Sequence, residues 1–398
     1  VSNVHRLVAL VVMIGASLLG TTASGADTGY VETDLVVNRQ VNSVPTLTDK
    51  NGVVHVAKFF DPNLVNPWGV GESAGSPFWV SDNGSGVASL YNTPGQPQSL
   101  VVAIPAPGDP LGATGAPTGL VFNVAQAQKA FEISGVTAAG AAITAPAVFL
   151  FAAEDGTILG WNPNVNPPGV DPATAGKHAI IARDNSASSA VYKGLAIATD
   201  TGSGDVFLYA TNFRAGTVEV YDSSFQPAGS LPSTAFTDPR LPRGYAPFNI
   251  VPITINNVTE LFVTFAVQNA EKKDDVAGQG HGIVDTFDLS GHLLARFAQH
   301  GQLNSPWGVA LAPASFGEFG GDLLIGNFGN GHINAFNPTT GEFLDKVRNP
   351  HGKAIVIDGL WTVKFGNGGN GGDRDTLYFT AGPNDESDGL FGSLTPDK

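Results

Sequence analysis

The chain has 398 residues, 42% of them hydrophobic, with 50 glycines, 27 prolines and a formal net charge of −15. That acidic balance leaves no broad basic face, which excludes nucleic acid and anionic membrane surfaces as main partners. The cysteine count of 0 excludes disulfides, thiolate catalysis and cysteine-ligated metals together.

Residues 1–26 read as an export signal. His5 and Arg6 precede an apolar run from Leu7 to Leu19, and Ser24 and Ala26 flank a small-residue cleavage site before Asp27. The run is short for a bilayer span, so residues 27–398 are expected to form one exported domain with no membrane span, secreted, periplasmic or held at the cell envelope.

Tyr30 to Asn38 reads as a strand with no neighbouring partner, and Arg39 to Asn66 carries a hairpin around the turn DKNG. From Trp68 onward the chain repeats one pattern of short apolar runs separated by Gly, Pro, Asn and Thr. NPWGV at 66–70 matches SPWGV at 305–309, and VSDNGSGVASLYN matches IGNFGNGHINAFN. Six repeats begin near residues 68, 118, 194, 247, 307 and 361. None of the runs is long enough for an ordinary helix, and each repeat reads as a four-stranded antiparallel meander. The second repeat is interrupted by an alanine-rich stretch, Gln126 to Ala145, read as a short helix or an ordered loop. The polar stretch Glu271 to His281 reads as a solvent-facing loop in the fourth repeat.

The sixth repeat stops one strand short, while the N-terminal strand is surplus. Pairing Tyr30 to Val37 with Leu390 to Leu394 removes two sheet edges. The expectation is an all-β fold, a six-bladed β-propeller of four-stranded blades closed by its N-terminal strand.

The segments NPWGV, SPWGV and GLAIA, each followed by a strand ending in DN, TN or GN and another ending in YN, YD or FN, resemble NHL-repeat β-propellers. The mature chain is also similar to a group of uncharacterised exported bacterial proteins. These likenesses imply the propeller fold. NHL-like propellers include binding platforms, lyases and lactone hydrolases, so the resemblance implies no single activity.

Propeller connectivity puts the loop before each innermost strand and the loop between the second and third strands on one face, around the channel mouth. This face is the expected ligand site, with Asp82, Asn83, Asp155, Asn212, Arg214, Arg240, Arg243, Asn269, Asn327, His332 and Asn384 as candidates. Asp82, Asn83, Asn212, Asn269, Asn327 and Asn384 occupy nearly equivalent positions, where such side chains organise turns or present oxygens to a hydroxyl-rich ligand or Ca²⁺. The three arginines are suited to surface ion pairs, or to a carboxylate or phosphate. His55, His281, His300 and His351 are the candidates for a divalent transition metal that would activate water. Trp68 and Trp307 are expected to pack between blades, and Trp161 to be exposed. Neither GESAG at 71–75 nor GNGGNGGDRD at 366–375 completes a nucleophile-elbow or phosphate-loop motif.

The resulting expectation is a monomeric scaffold binding an extracellular or envelope protein or glycan at the channel mouth. A metal-dependent hydrolase or lyase acting on an ester or lactone is the alternative.

Overall fold

The computed structural model describes residues 29–232 and 234–397, so the expected export signal lies outside the described residues. Short β-branched and aromatic runs, with Gly, Pro or Asn in the turns between them, form eight sheets among the described residues, six of them of propeller type and antiparallel but for Phe59–Phe60, which pairs parallel to Val36–Val37; the described residues contain no α-helix. The innermost strands are Pro67–Gly71, Pro117–Phe122, Tyr192–Thr199, Tyr245–Ile255, Pro306–Leu311 and Leu360–Phe365. Each pairs with the next strand in sequence except Pro117–Phe122, which pairs with Phe149–Ala153 across an inserted hairpin, and the second, fourth and fifth sheets have four strands each.

The last sheet completes itself with Tyr30–Val37, which lies antiparallel to Leu390–Pro396 from Tyr30↔Pro396 to Val37↔Leu390, with a bulge between Asp34 and Val36. Chain ends far apart in sequence thereby share one hydrogen-bonded sheet. Tyr30 anchors the start: its hydroxyl donates to the Phe316 carbonyl at 3.0 Å and accepts from the Phe319 N–H at 3.0 Å.

Apolar clusters fill the seams between adjacent sheets. Trp79 and Phe149 pack across the first and second, Phe262 and Ile325 across the fourth and fifth, and Phe78 and Phe391 across the first and last. The innermost strands approach closely. A β-carbon on Gly308 would stand 2.6 Å from the Trp361 carbonyl oxygen, and one on Gly194 would stand 2.7 Å from the Asn249 Cα. Only glycine admits the neighbouring backbone there.

Three details differ from the sequence expectation. The interruption at Gln126 to Ala145 contains a single 3₁₀ turn, Gln126–Gln128, and then a hairpin of Glu132–Val136 with Ala142–Pro146. Its alternating residues bury Ile133 against the blade, which a strand period does and a helix period does not. The third sheet has three strands, ending at Thr217–Tyr221. Trp161 is buried, its ring tilted against Trp79 with centroids 4.7 Å apart and its indole N–H donating to the Gly176 carbonyl at 2.8 Å.

Candidate functional site

Every innermost strand carries a register shift near its start, between Pro67 and Val70, Pro117 and Leu120, Tyr192 and Gly194, Pro247 and Asn249, Pro306 and Val309, and Leu360 and Val363. A bulge re-aims the side chain it carries. Here the re-aimed residues are Trp68, Thr118, Lys193, Phe248, Trp307 and Trp361, one from each blade. Trp68 stacks on Trp361 with ring centroids 3.5 Å apart, and Trp307 meets both edge-on at 6.1 and 5.8 Å. Trp68 and Trp307 therefore converge on the propeller axis and do not pack between blades. Phe213, Phe248 and Phe328 complete a plug across the channel.

Lys193 is the charged member of this column. Its side chain is 2% exposed, and its Nζ lies 4.9 Å from the Trp68 ring centroid. It donates a short hydrogen bond to Glu154 and lies 3.4 Å from Asp274. Burial disfavours both charges of the Lys193–Glu154 pair, but their mutual attraction wins: Glu154 is held below the usual carboxylate range and Lys193 above the usual ammonium range. Burial pushes the nearby Glu386 up to about 7 against the pull of Lys193, and the negative charge of Glu154 adds to the rise.

An amide relay ties these groups together. Asn66 Nδ2 donates to Glu386 at 2.7 Å, while its Oδ1 accepts the Trp361 indole N–H at 2.9 Å. Asn83 Oδ1 accepts from Asn66 at 3.3 Å, and Asn83 Nδ2 donates to Glu154 at 3.1 Å. The result is a polar dish above an aromatic floor, at the end of the channel where the innermost strands begin. On the other side of the plug, a cavity of about 540 Å³ is lined mainly by apolar residues, with Glu72 and Lys364 paired at 3.4 Å near its rim. That cavity holds only one such pair, whereas the dish gathers two carboxylates with opposed shifts, so the convergent chemistry lies in the dish.

Of the anticipated ligand-face residues, Asn83 joins the dish. The other ring members bond nearby backbone, Asn212 and Asn269 within their own turns and Asp82 and Asn327 across to a neighbouring strand or loop. Asp82 accepts from the Ser89 N–H at 3.1 Å, Asn212 from the Ala215 N–H at 3.1 Å, Asn269 from the Lys273 N–H at 3.0 Å, and Asn327 from the Asn304 N–H at 3.2 Å. Asp155 accepts from the Thr157 hydroxyl at 2.7 Å, and Asn384 donates to Asp388 at 2.8 Å. Arg214 borders the plug through its backbone, whose carbonyl accepts from Gln268 at 3.4 Å. Arg240 lies 3.7 Å from Asp238, which also pairs with Arg296, and Arg243 is exposed; neither is placed with Lys193.

The four histidines do not form one metal centre among the described residues. His281 and His300 bond the carbonyls of Val276 and Gly280 at 2.9 and 3.0 Å, His351 sits in an exposed turn, and His332 bonds the Ile355 carbonyl at 3.2 Å. His55 lies beneath the N-terminal hairpin, against Asp34 of the closing strand. Sequence reading missed Lys193, Glu154, Asp274 and Glu386. The usable signal was the repeat column itself: aligned on the bulge, it reads Trp, Thr, Lys, Phe, Trp, Trp, and one charge stands out.

The fold and this axial arrangement define a β-propeller with a plugged channel and a polar mouth. No family model matches the chain. It is 30% identical over 354 residues to the uncharacterised protein L690 of Acanthamoeba polyphaga mimivirus, covering 86% of this chain and 83% of that one, and it belongs to the same family. The uncharacterised mimivirus protein R648 is 29% identical over 342 residues, covering 85% of this chain and 76% of its own. Among solved structures, a streptogramin B lyase aligns with a TM-score of 0.48 at 10% identity, covering 94% of this chain and 99% of that one.

Proposed function

We propose that the protein is an exported scaffold that holds a hydroxyl-rich ligand, a glycan of the cell envelope, in the polar dish at its channel mouth. The observation that carries this reading is the convergence of Lys193, Glu154, Glu386, Asn66 and Asn83 above the axial aromatics. Sugar hydroxyls both donate and accept, and the partly exposed Asn83, Glu154 and Glu386, set over the buried Lys193 and Asn66, answer both roles. Asp274 stands 57% exposed beside Lys193 and adds an acceptor at the rim. The excess of carboxylates disfavours an anionic ligand.

A second reading rests on one further observation. Glu154 and Glu386 are neighbouring carboxyls pushed in opposite directions, the arrangement that separates a base from an acid. In that reading the same glycan is cleaved without any metal at the mouth.

The test is binding of the purified chain to arrayed envelope glycans, with Lys193→Met and Glu386→Gln as variants. Binding that both substitutions weaken at least about tenfold supports the scaffold. Release of reducing ends by the wild type, lost in Glu386→Gln, moves the assignment to the second reading. If no glycan binds, or if binding survives both substitutions, the proposal fails.

A further inference from the structure

The N-terminal hairpin is inverted in one of its two strands; the first, Val44–Thr48, buries Leu47 in the usual way, directly opposite His55. Its second strand, Val54–Val56, exposes both valines, at 58% and 59%, and buries the histidine between them, at 4%. A surface hairpin that merely covered the last blade would reverse this pattern, since alternate strand residues face opposite sides and apolar ones are favoured inside. His55 faces three carboxylates. Glu32 and Asp34 stand two residues apart on one face of the closing strand Tyr30–Val37, and Asp49 opens the hairpin turn.

The imidazole Nδ1 lies 3.1 Å from Asp34. Its Nε2 is buried, has no hydrogen-bond partner among the described residues, and faces Asp49 Oδ2 at 3.8 Å. One ligand atom each from Glu32, Asp34 and His55 falls within 4.8 Å of the others. Asp34 and Asp49 are 16% and 1% exposed, and no lysine or arginine bridges to Glu32, Asp34 or Asp49 among the described residues. Three largely buried carboxylates against a single imidazole leave negative charge that the protein does not offset.

We propose that Glu32, Asp34 and one ring nitrogen of His55 form a binding site for one first-row divalent transition ion, zinc in particular, while Asp49, at the far side of the ring, is placed to accept from the other nitrogen and orient the imidazole. One imidazole with two carboxylates suits such an ion better than magnesium or calcium, which prefer all-oxygen shells. Donors around a tetrahedral ion stand about 3.4 Å apart for bonds of about 2.1 Å, so a side-chain adjustment of roughly an ångström closes the cluster. The site lies on the fourth strand of the last sheet, outward of the innermost strand Leu360–Phe365. Its role is structural: the ion fastens the hairpin to the strand that completes the last sheet, and so couples metal binding to stability.

The experiment is titration of Zn²⁺, Mn²⁺ and Ca²⁺ into chelator-treated full-length chain by calorimetry, followed by thermal unfolding with and without Zn²⁺. The variants are His55→Gln, Asp34→Asn and, as a control at a different histidine, His281→Gln. One Zn²⁺ per chain is expected, with affinity weakened about 100-fold by His55→Gln and by Asp34→Asn, unchanged by His281→Gln, and a Zn²⁺-dependent rise in melting temperature lost with the first two. Co²⁺ substitution in the wild type gives a reading independent of how the variants fold: visible bands of a nitrogen- and oxygen-ligated ion are expected and must disappear on adding one equivalent of Zn²⁺. Zinc binding that survives both ligand substitutions, the absence of stoichiometric binding, or a preference for Ca²⁺ overturns the proposal.

Discussion

Replacing Glu386 by glutamine isolates the electrostatics of the dish. The substitution keeps a carbonyl oxygen to accept the 2.7 Å hydrogen bond from Asn66 and removes only the charge. In the folded chain Glu386 titrates at about 7, against the ordinary 4.5, chiefly because it is buried. Between those values the native chain keeps a proton that the unfolded chain has lost, so this group's contribution is complete below about 4.5 and disappears as the pH rises through 7. The gap corresponds to at most about 3 kcal/mol. Wild type and Glu386→Gln are therefore expected to match near pH 4.5, while at pH 8.5 the variant is more stable by up to that amount, or about 4 °C in melting temperature for a chain of this size. Paired thermal scans across this range measure the difference, which includes the response of the coupled Lys193 and Glu154 to the lost charge. A difference that does not change with pH would refute the account, and a variant less stable at pH 8.5 would show that the charged form is the favoured one.

Other substitutions probe the plug, the seams and the closure. Lys193→Met leaves Glu154 buried without its cation and is expected to cost about 3–5 kcal/mol in denaturant unfolding, most of it recovered by adding Glu154→Gln; a double variant no better than the single one would contradict the pairing. Gly308→Ala forces a β-carbon to within 2.6 Å of the Trp361 carbonyl and should cost about 1–3 kcal/mol, whereas Gly229→Ala, which meets nothing within 4 Å, should leave the midpoint unchanged apart from backbone-entropy effects. Tyr30→Phe removes a hydroxyl that bonds both Phe316 and Phe319, with an expected loss of about 1–2 kcal/mol and faster amide exchange in Tyr30–Val37; unchanged exchange would argue that this anchor does not hold the closing strand.

The architecture was legible because strand period, turn residues and the recurrence of WGV all encode the same local unit, and because an unpaired strand at one end answered a missing strand at the other. Chemistry at the mouth was less legible for a physical reason. The Asn and Asp residues that recur at the ends of second strands recur because each of those turns needs a backbone-bonding side chain, so repetition marked structure. Function is expected where repetition fails: Lys193 is the one charge in a column of four aromatic rings and a threonine, and Glu386 sits in the turn of Asn384, whose amide donates to Asp388 where its counterparts accept from backbone N–H groups. His55 is legible by the same reasoning applied to burial. Valines flank it, and a strand that buries its histidine and exposes its valines has given up apolar contact for something that only an imidazole supplies. The departures from the repeat, at the axis and beneath the hairpin, therefore carry the chemical information that the repeat itself does not.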